Sequence, residues 1–482
     1  MAVVTPTTTE VAVPKKLSLR NYAGYATGDA ANNLAFSMSS LFLLLYYTNV
    51  VGVGAAALGT MFLVIRFWDA VADLVVGRLV DAKKPGRLGK FRPFILWFSL
   101  PLLLSSMALF SAQIFFPDLG ATGGLIYAYI AYVVMGTLYS FVNIPYGSIA
   151  PAMTQVPVER ARLASWRVWG SNLTILMLAF VVAPQIKQYA KDPPGLQQSL
   201  FITTAIFVVA GMVLYLFTVA TVKEQVFREV AAPTLKESFG TLFKNRPLIW
   251  LCVGSLAFLT GLTALSTLGP FYALYVLNDA QYIAWNTLSQ TIGTFLVAAF
   301  IPTIVRRIGK RNGYIALGAV GLVAGVLLAY APPSTPIIAV FAFFLMGIGM
   351  GGVNTLMWAL EADTVEYGEW KTHVRTEGTT YALFSFTRKM GQALGGAAGA
   401  YALGFVAFSS QAAKAARPQA AETVNGIQFW TGAITAGFIL LSVLIMFFYP
   451  LTDKVFRQIV GEIAARRADR EGGEVLKPPL EA

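Results

Sequence analysis

The chain is poor in charged residues, and this shortage excludes most soluble proteins. Only 12 % of its 482 residues are Asp, Glu, Lys or Arg, whereas 56 % are hydrophobic. Soluble domains carry about 25 % charged residues. With a mean hydropathy of +0.63, the surface can be covered only by lipid. We therefore expect a multi-pass protein of the cell inner membrane, with the lipid bilayer as a partner.

Cysteine and histidine are almost absent, since Cys252 and His373 are the only two. One cysteine cannot form an intrachain disulfide, and one histidine cannot build a histidine metal cluster. His373 falls in a polar cytoplasmic stretch, too far from the midplane for a proton relay. Nucleophile-elbow and phosphate-loop motifs are missing. We expect no metal, no cofactor and no enzymatic activity, and the N-terminus lacks a signal-peptide pattern.

Apolar stretches of about 20 residues predict an all-α fold with twelve transmembrane helices in two six-helix bundles. The predicted spans are residues 29–50, 57–80, 93–115, 122–147, 166–186, 199–221, 248–277, 281–304, 313–331, 336–361, 379–408 and 427–450. The predicted divisions are an N-terminal bundle (1–222), a cytoplasmic central loop (223–247), a C-terminal bundle (248–452) and a cytoplasmic tail (453–482).

The basic residues predict the orientation of these spans. With both termini in the cytoplasm, 27 of the 36 Lys and Arg residues fall in cytoplasmic segments and four in the opposite loops. The five within spans are Arg66, Arg78, Arg167, Arg388 and Lys389. This bias follows the positive-inside rule. It explains the net charge of +12 without a nucleic-acid partner.

Two carboxylates in the second span need an explanation. Asp69 and Asp73 are four residues apart on one helical face, and Arg66 precedes Asp69 on that face. Neighbouring carboxylates in a low dielectric resist joint ionisation, so they share a proton or hold a cation. The alternative is a structural Arg66–Asp69 ion pair. Lys389 in the eleventh span is the expected partner of the two carboxylates, whereas Arg388 is expected to be an interhelical tie.

Other polar residues in the spans are candidates for binding a polyhydroxy ligand. They are Asn32, Asn33, Asn143 and Asn172, with Trp358 as a possible stacking surface. Each asparagine has the alternative role of a helix–helix contact, worth about 0.6 kcal/mol, and Trp358 that of packing. Arg167 is either a site residue or an anchor at the cytoplasmic edge. Glycines such as Gly347 and Gly349 are expected to allow close helix packing.

The halves resemble each other weakly, as in major-facilitator-type transporters, whose substrate site lies at the midplane between the halves. The sequence also resembles the glycoside–pentoside–hexuronide:cation symporters, the melibiose permease-like family. The resemblance covers about residues 24–454 and rests on the segments 24–33, 46–51, 66–81, 89–94, 143–146, 159–167 and 362–371, with Arg375, Glu377, Gly378 and Lys389.

The resemblance implies a major facilitator fold that couples a cation gradient to sugar or glycoside uptake. Asp69 and Asp73 match the family's cation-site aspartates, and Ser140 adds a hydroxyl. Lys389 matches its eleventh-helix lysine, and Arg167 its fifth-helix arginine after a one-residue gap. The candidate substrate residues are Asn32, Asn33, Asn143, Arg167, Lys389 and Trp358, of which the resemblance implies Asn33, Asn143, Arg167 and Lys389. The family's ring-stacking tryptophan falls at Gly147. The gating residues implied at the cytoplasmic loops are Arg66, Asp81, Arg92, Asp363, Glu366 and Arg375.

Two departures from the family pattern bear on the substrate and the cation. The family's sugar-binding aspartates fall at Asn33 and Asn143, which suits an anionic sugar such as a hexuronide and equally a neutral pentoside. Sodium needs several oxygen ligands, but Ala72 replaces the family's asparagine before Asp73. A proton needs one carboxylate, so we expect proton coupling, with sodium as the alternative.

Three other functions compete with sugar symport. A lipid or lysolipid carrier of the same fold needs a lateral apolar opening, which sequence does not reveal. A membrane-embedded transferase needs an acidic or histidine motif on an outer loop, and those loops are short. A sugar sensor needs a signalling domain, for which residues 454–482 are too few. We expect a monomer.

Overall fold

The computed structural model describes residues 17–154, 156–224, 244–372 and 377–471. Every element named in these ranges is helical, as predicted, and one isolated bridge pairs Gly86 with Gly89. The helices are α1 (Leu19–Tyr46, continued by the π-helical turn Tyr47–Val51), α2 (Ala55–Ala82), α3 (Arg92–Leu109), α4 (Ala112–Phe115), α5 (Ala121–Met153), α6 (Pro157–Gln188), α7 (Pro193–Thr221), α8 (Arg246–Phe271, continued by the π-helical turn Tyr272–Val276), α9 (Gln281–Tyr330), α10 (Pro336–Thr372), α11 (Glu377–Phe405), α12 (Ser410–Lys414), α13 (Ala421–Phe447) and α14 (Asp453–Glu471).

Several helices are longer than the predicted spans. The first begins at Leu19 rather than at residue 29, the fifth long helix begins at Pro157 rather than 166, and the tenth predicted span continues to Thr372. Hydropathy marks only the apolar part of a helix. The backbone hydrogen bonds of a helix lie within the segment itself, so the helix can continue past the edge of the hydrocarbon.

One of the predicted boundaries is wrong. The predicted third span reaches residue 115, but α3 ends at Leu109 and the short α4 follows. The predicted break between the eighth and ninth spans is present as a kink at the non-helical Gly309 (φ 82°, ψ 167°), which separates two helical parts of α9. Glycine adopts this backbone conformation without a steric penalty.

Ten helical segments in the described ranges are long and apolar enough to cross a membrane. They include the whole of α9 as a single segment, and α11 is not among them. These helices tolerate internal prolines, for example Pro145 and Pro184, as membrane helices commonly do.

The long helices pack as two related halves. In the first half, α1 packs on α6 and α7, and α3 packs on α5 and α7. In the second half, α8 packs on α11 and α13, and α9 packs on α10 and α13. The halves meet through the pairs α2–α11, α6–α9 and α1–α8. Small residues allow close packing as predicted, since a Cβ at Gly347 would collide with the backbone of Gln290 on α9.

Hydrogen bonds and an ion pair between the halves gather at one end of the helices, here called the closed end. The pairs are Asn49–Tyr275, Thr60–Tyr401, Gln411–Gly52, Lys414–Val51 and Lys187–Asp279, at 2.8 to 3.1 Å. Aromatic contacts between α6 and α9 lie along the same junction, with the rings of Trp169 and Phe295 stacked at 4.3 Å. The cleft between the halves therefore opens toward the opposite end.

At that opposite end, a carboxylate fastens the loop between α2 and α3 to the end of α7. Glu224 accepts the backbone N–H groups of Lys90, Phe91 and Arg92 at 2.7, 2.9 and 3.1 Å. The loop approaches Glu224 at Gly89, which has a φ of +88°, and a Cβ there would lie 2.5 Å from Glu224 Oε1. We call this arrangement a carboxylate clasp.

The second half repeats the carboxylate clasp. Asp453 Oδ2, at the start of α14, accepts the backbone N–H of Lys310 at 3.2 Å. The residue before Lys310 is again a glycine with positive φ, Gly309, and a Cβ there would collide with Asp453 Oδ2. The repeated clasp supports the internal relation between the halves.

Candidate functional site

The carboxylates of α2 lie in the cleft between the halves, and the first of them is paired within its own helix. Arg66 Nη1 lies 3.2 Å from Asp69 Oδ2, and Arg66 Nη2 donates to the Tyr132 hydroxyl at 3.3 Å. Asp69 Oδ1 is buried and has no hydrogen-bond partner among the described residues. Gly136 on α5 leaves room for this oxygen, since a Cβ there would collide with it. Arg66 therefore lies beside Asp69, and not with the gating residues that were expected at the cytoplasmic loops.

The second carboxylate, Asp73, is held from both halves. Its Oδ1 accepts the Ser140 hydroxyl of α5 at 2.7 Å. Its Oδ2 forms an ion pair with Lys389 of α11, in the other half. The side chain of Asp73 is 21 % exposed and that of Lys389 is 42 % exposed, so solvent in the cleft reaches the pair. The structure thus brings Asp73, Ser140 and Lys389 together.

Arg167 on α6 forms a second ion pair in the first half. Its Nε donates to Asp29 Oδ1 on α1 at 2.8 Å. Asn33, one turn further along α1, donates its Nδ2 to the carbonyl oxygen of Asp29 at 2.8 Å and to Asp29 Oδ2 at 3.3 Å. The guanidinium of Arg167 lies over the Tyr146 ring, 5.4 Å from its centroid. Arg167 and Asn33 therefore belong to one polar group.

The other asparagines have separate surroundings. Asn32 is buried, and its Oδ1 accepts the Tyr215 hydroxyl of α7 at 2.7 Å, which is a contact between helices of one half. Asn172 donates to the Val168 carbonyl oxygen of its own helix at 2.9 Å. Asn143 is half-buried on α5, and its side chain makes no hydrogen bond to the part of the chain that the structure describes.

Trp358 lies in the second half, and its face is already occupied. The Arg388 guanidinium lies over its ring, 4.8 Å from the centroid, and Tyr381 stacks on it at 5.8 Å. Arg388 Nη2 donates to Asn354 Oδ1 at 2.9 Å, whereas Arg388 Nη1 is buried without a partner among the described residues. Arg388 thus ties α11 to α10, and Lys389 beside it faces the other half.

Two of the expected gating residues, Arg92 and Asp363, lie at the open end. Arg92 donates to the carbonyl oxygens of Leu88 and Val219 at 2.8 and 3.0 Å. Asp363 accepts two bonds from Lys310 Nζ, at 2.7 and 2.8 Å. These contacts link Arg92 to the first carboxylate clasp, and Asp363 to the second.

The other expected gating residues at the cytoplasmic loops are Glu366, Asp81 and Arg375. Glu366 is half-buried on α10, one turn after Asp363. Asp81 is in the last turn of α2, but its side chain lies outside the described part of the chain. Arg375 and His373 also lie outside it.

Sequence reasoning missed three carboxylates. Asp29 was not expected in the site, although it lies four residues before Asn33 and so shares its helical face. Glu224 and Asp453 each follow the last long helix of a half, which is the only signal for their clasps. Within the described ranges, no three His, Cys, Asp or Glu side chains are grouped closely enough to hold a metal ion.

The chain is similar to known transporters over nearly its whole length. The family described as "MFS/sugar transport protein" matches residues 24–453. The chain is 44 % identical to the glucuronide carrier protein homolog of Escherichia coli (strain K12), covering 94 % of this chain and 97 % of that protein. It is 34 % identical to the putative 2,3-dihydroxypropane-1-sulfonate exporter of Escherichia coli (strain K12), covering 95 % and 98 %.

Solved transporter structures share the fold. The crystal structure of nucleoside transporter NupG superposes with a TM-score of 0.58 and 17 % identity, covering 92 % of this chain and 99 % of that one. At this identity the likeness concerns the fold alone.

Proposed function

Because the chain belongs to the MFS/sugar transport protein family, we propose that it couples a proton gradient to the uptake of an anionic sugar. It is a multi-pass membrane protein of the sugar-symporter type, with a small-molecule sugar as its substrate. The single observation that carries the proposal is the ion pair of Asp73 with Lys389. A titratable carboxylate and a cation from opposite halves meet in the cleft through which a substrate would pass.

The topology that we propose has twelve spans. Eleven helices supply them: the ten candidate segments, in which α9 contributes two spans on either side of Gly309, and α11. The excess of Lys and Arg in alternate loops favours both termini in the cytoplasm. The closed end then faces outward, and the structure corresponds to an inward-open carrier. One chain contributes every cleft residue named above, so a monomer suffices for transport.

The proposed substrate is a sugar that carries a carboxylate or a similar anion. Arg167 and Lys389 line the cleft, and Asn33 and Asn143 stand where the resembled family has aspartates. The amides remove two negative charges that would repel an anion. The relatives named for a glucuronide and for a sulfonate support the same class. A neutral pentoside is the competing substrate.

The proposed cycle uses the ion pair between the halves as its coupling device. Protonation of Asp73 releases Lys389, and the sugar then binds near Arg167 and Lys389. The halves rock, the sugar and the proton leave, and the ion pair forms again. A half-loaded site leaves one buried charge unpaired, which is costly, so rocking is favoured only for the empty or the fully loaded carrier.

The test is proton movement during transport. Cells that express the protein, suspended in weak buffer, should alkalinise the medium when a glucuronide is added, with or without sodium. Cells with Asp73→Asn are the control and should not alkalinise it. A strict sodium requirement would overturn proton coupling while leaving sugar transport intact. One relative is named as an exporter, so uptake into right-side-out vesicles, driven by an imposed pH gradient, tests the direction.

A further inference from the structure

The Arg167–Asp29 ion pair is separate from the coupling carboxylates of α2, and its two members are unequally accessible. The side chain of Asp29 is 7 % exposed, whereas that of Arg167 is 38 % exposed. The carboxylate is also held from its own helix by the Asn33 amide. The guanidinium therefore faces the cleft, and the carboxylate supports it from behind.

The orientation of the guanidinium is fixed on two sides. The ion pair to Asp29 uses Nε, and the Tyr146 ring lies under the guanidinium plane. Tyr146 is itself held, because its hydroxyl donates to the Tyr25 carbonyl oxygen at 2.5 Å and its ring stacks on Tyr25 at 4.8 Å.

This arrangement leaves donors for a ligand. A guanidinium has five N–H donors in a fixed fork, and two parallel N–H groups fit a carboxylate. The ion pair with Asp29 uses one of these donors, Nε. The exposed edge of Arg167 is thus available to an anion in the cleft.

We propose that Asp29 is a positioning and selectivity residue for the anionic group of the sugar. It orients Arg167 for a bidentate contact with the substrate carboxylate. Its own negative charge repels that carboxylate. Arg167 without Asp29 would hold an anion more tightly and release it more slowly. The inference rests on the proposed function, because it assumes that an anionic sugar enters this cleft.

The competing explanation is that the Arg167–Asp29 pair has a purely structural role and only joins α1 to α6. The two explanations differ in what happens to a neutral sugar. A structural role affects all sugars alike, because distorted helices impair every substrate. A charge-based role changes the preference between an anionic sugar and its neutral counterpart, since specificity is a difference between two affinities.

The experiment compares p-nitrophenyl β-D-glucuronide with p-nitrophenyl β-D-glucoside, which differ only at the sixth carbon. Binding and transport are measured for the full chain in liposomes. Asp29→Asn keeps the shape and an acceptor for Arg167 Nε but removes the charge. We expect its affinity for the glucuronide, relative to the glucoside, to rise at least tenfold, with a lower maximal rate. Asp29→Glu keeps the charge and should keep the wild-type ratio.

Arg167→Gln provides the reverse test and keeps the inference falsifiable if Asp29→Asn fails to fold. Without the cation, Asp29 repels anions, so the preference should shift toward the glucoside by at least tenfold. Equal changes for both sugars in these variants would overturn the selectivity role and leave sugar transport standing. A wild-type protein that binds neither sugar would overturn the proposed function itself, and the inference with it.

Discussion

Lys389 and Asp73, 316 positions apart in the chain, form an ion pair across the cleft. The pair joins α11 of the second half to α2 of the first. A carboxylate of one half thereby pairs with a cation of the other half within the cleft. Changes to this pair should therefore alter coupling, whereas changes at the two ends of the helices should alter stability and opening.

Asp73→Asn should abolish uphill accumulation of the sugar but leave exchange across the membrane measurable. An amide of the same shape cannot take up the coupling proton, and it leaves Lys389 without a counter-charge. Concentrative uptake and counterflow, measured in the same vesicles, separate the two effects. The double variant Asp73→Asn with Lys389→Met is the matched control. The amount of this protein found in the membrane should be greater than that of the single variant. Unchanged concentrative uptake by Asp73→Asn would refute the coupling role.

Ser140→Ala should weaken coupling without abolishing it. The Ser140 hydroxyl donates to Asp73 Oδ1 at 2.7 Å, and a hydrogen bond to a charged group contributes about 1.5–3 kcal/mol. The variant leaves Asp73 Oδ1 without this donor, so concentrative uptake should fall while exchange across the membrane persists. Ser148→Ala is the control, because among the described residues the Ser148 hydroxyl bonds only to the Ile144 carbonyl oxygen of its own helix. Equal concentrative uptake by both variants would contradict this account.

Gly309→Ala should destabilise the folded protein by about 1–3 kcal/mol or more. The residue has a backbone conformation that is essentially confined to glycine, and a Cβ would collide with Asp453 Oδ2. Thermal unfolding in detergent measures the change. Gly437→Ala is the matched control, because a Cβ there meets nothing within 4 Å. In a helix interior this change should be neutral or stabilise by roughly 0.5–1 kcal/mol. Equal melting temperatures for both variants would show that the second clasp does not constrain the chain.

Asp279→Asn should loosen the closed end. Asp279 lies between α8 and α9 and pairs with Lys187 of the other half at 2.8 Å. Partial burial disfavours its charged form, but the hydrogen bonds from Lys187 and from the Gln281 backbone prevail and lower the pKa of Asp279 below its ordinary value. Hydrogen–deuterium exchange over residues 272–280 should be faster in the variant, by no more than about fivefold, since exposed ion pairs are worth roughly 0.2–1 kcal/mol.

The lowered pKa of Asp279 also determines whether the closed end becomes more or less stable as the pH falls. A carboxylate with a depressed pKa contributes stability above its ordinary pKa, and the contribution is lost as the pH falls through the folded value. The wild-type exchange rate, corrected for intrinsic exchange, should therefore be flat between about pH 5 and 8 and should approach that of Asp279→Asn only below about pH 4. A wild-type protein that already loosens near pH 6 would point to another group.

Local sequence spacing predicted one part of the site well. The i, i+4 spacing of Asp69 and Asp73 and the position of Arg66 follow from helical geometry alone, and charge balance pointed to Lys389. The Arg167–Asp29 pair joins two helices whose rotation about their axes is set by packing, so no local pattern reveals it. Asn32 and Asn33 illustrate the same limit, since these adjacent residues contact α7 and Asp29 respectively.

The fold was predictable at the level of apolar runs and not at that of helix ends. Residues 19–28 belong to α1 because helical hydrogen bonds do not require apolar side chains. The apolar runs did mark the break around Gly309 between residues 304 and 313, but not that a single non-helical residue makes it. The clasps were unpredictable because each joins residues far apart in the chain through backbone N–H groups, which leave no trace in side-chain composition.

The Glu224 clasp has a consequence for how the chain is made. Its members, Lys90 to Arg92 and Glu224, all precede the second half in the chain. The clasp can therefore close as soon as α7 has emerged from the ribosome, before the second half has been synthesised. Domains generally fold as units in the order of their synthesis. The first half would then be folded before the second half is synthesised. The cleft would form last, when the two folded halves pack together.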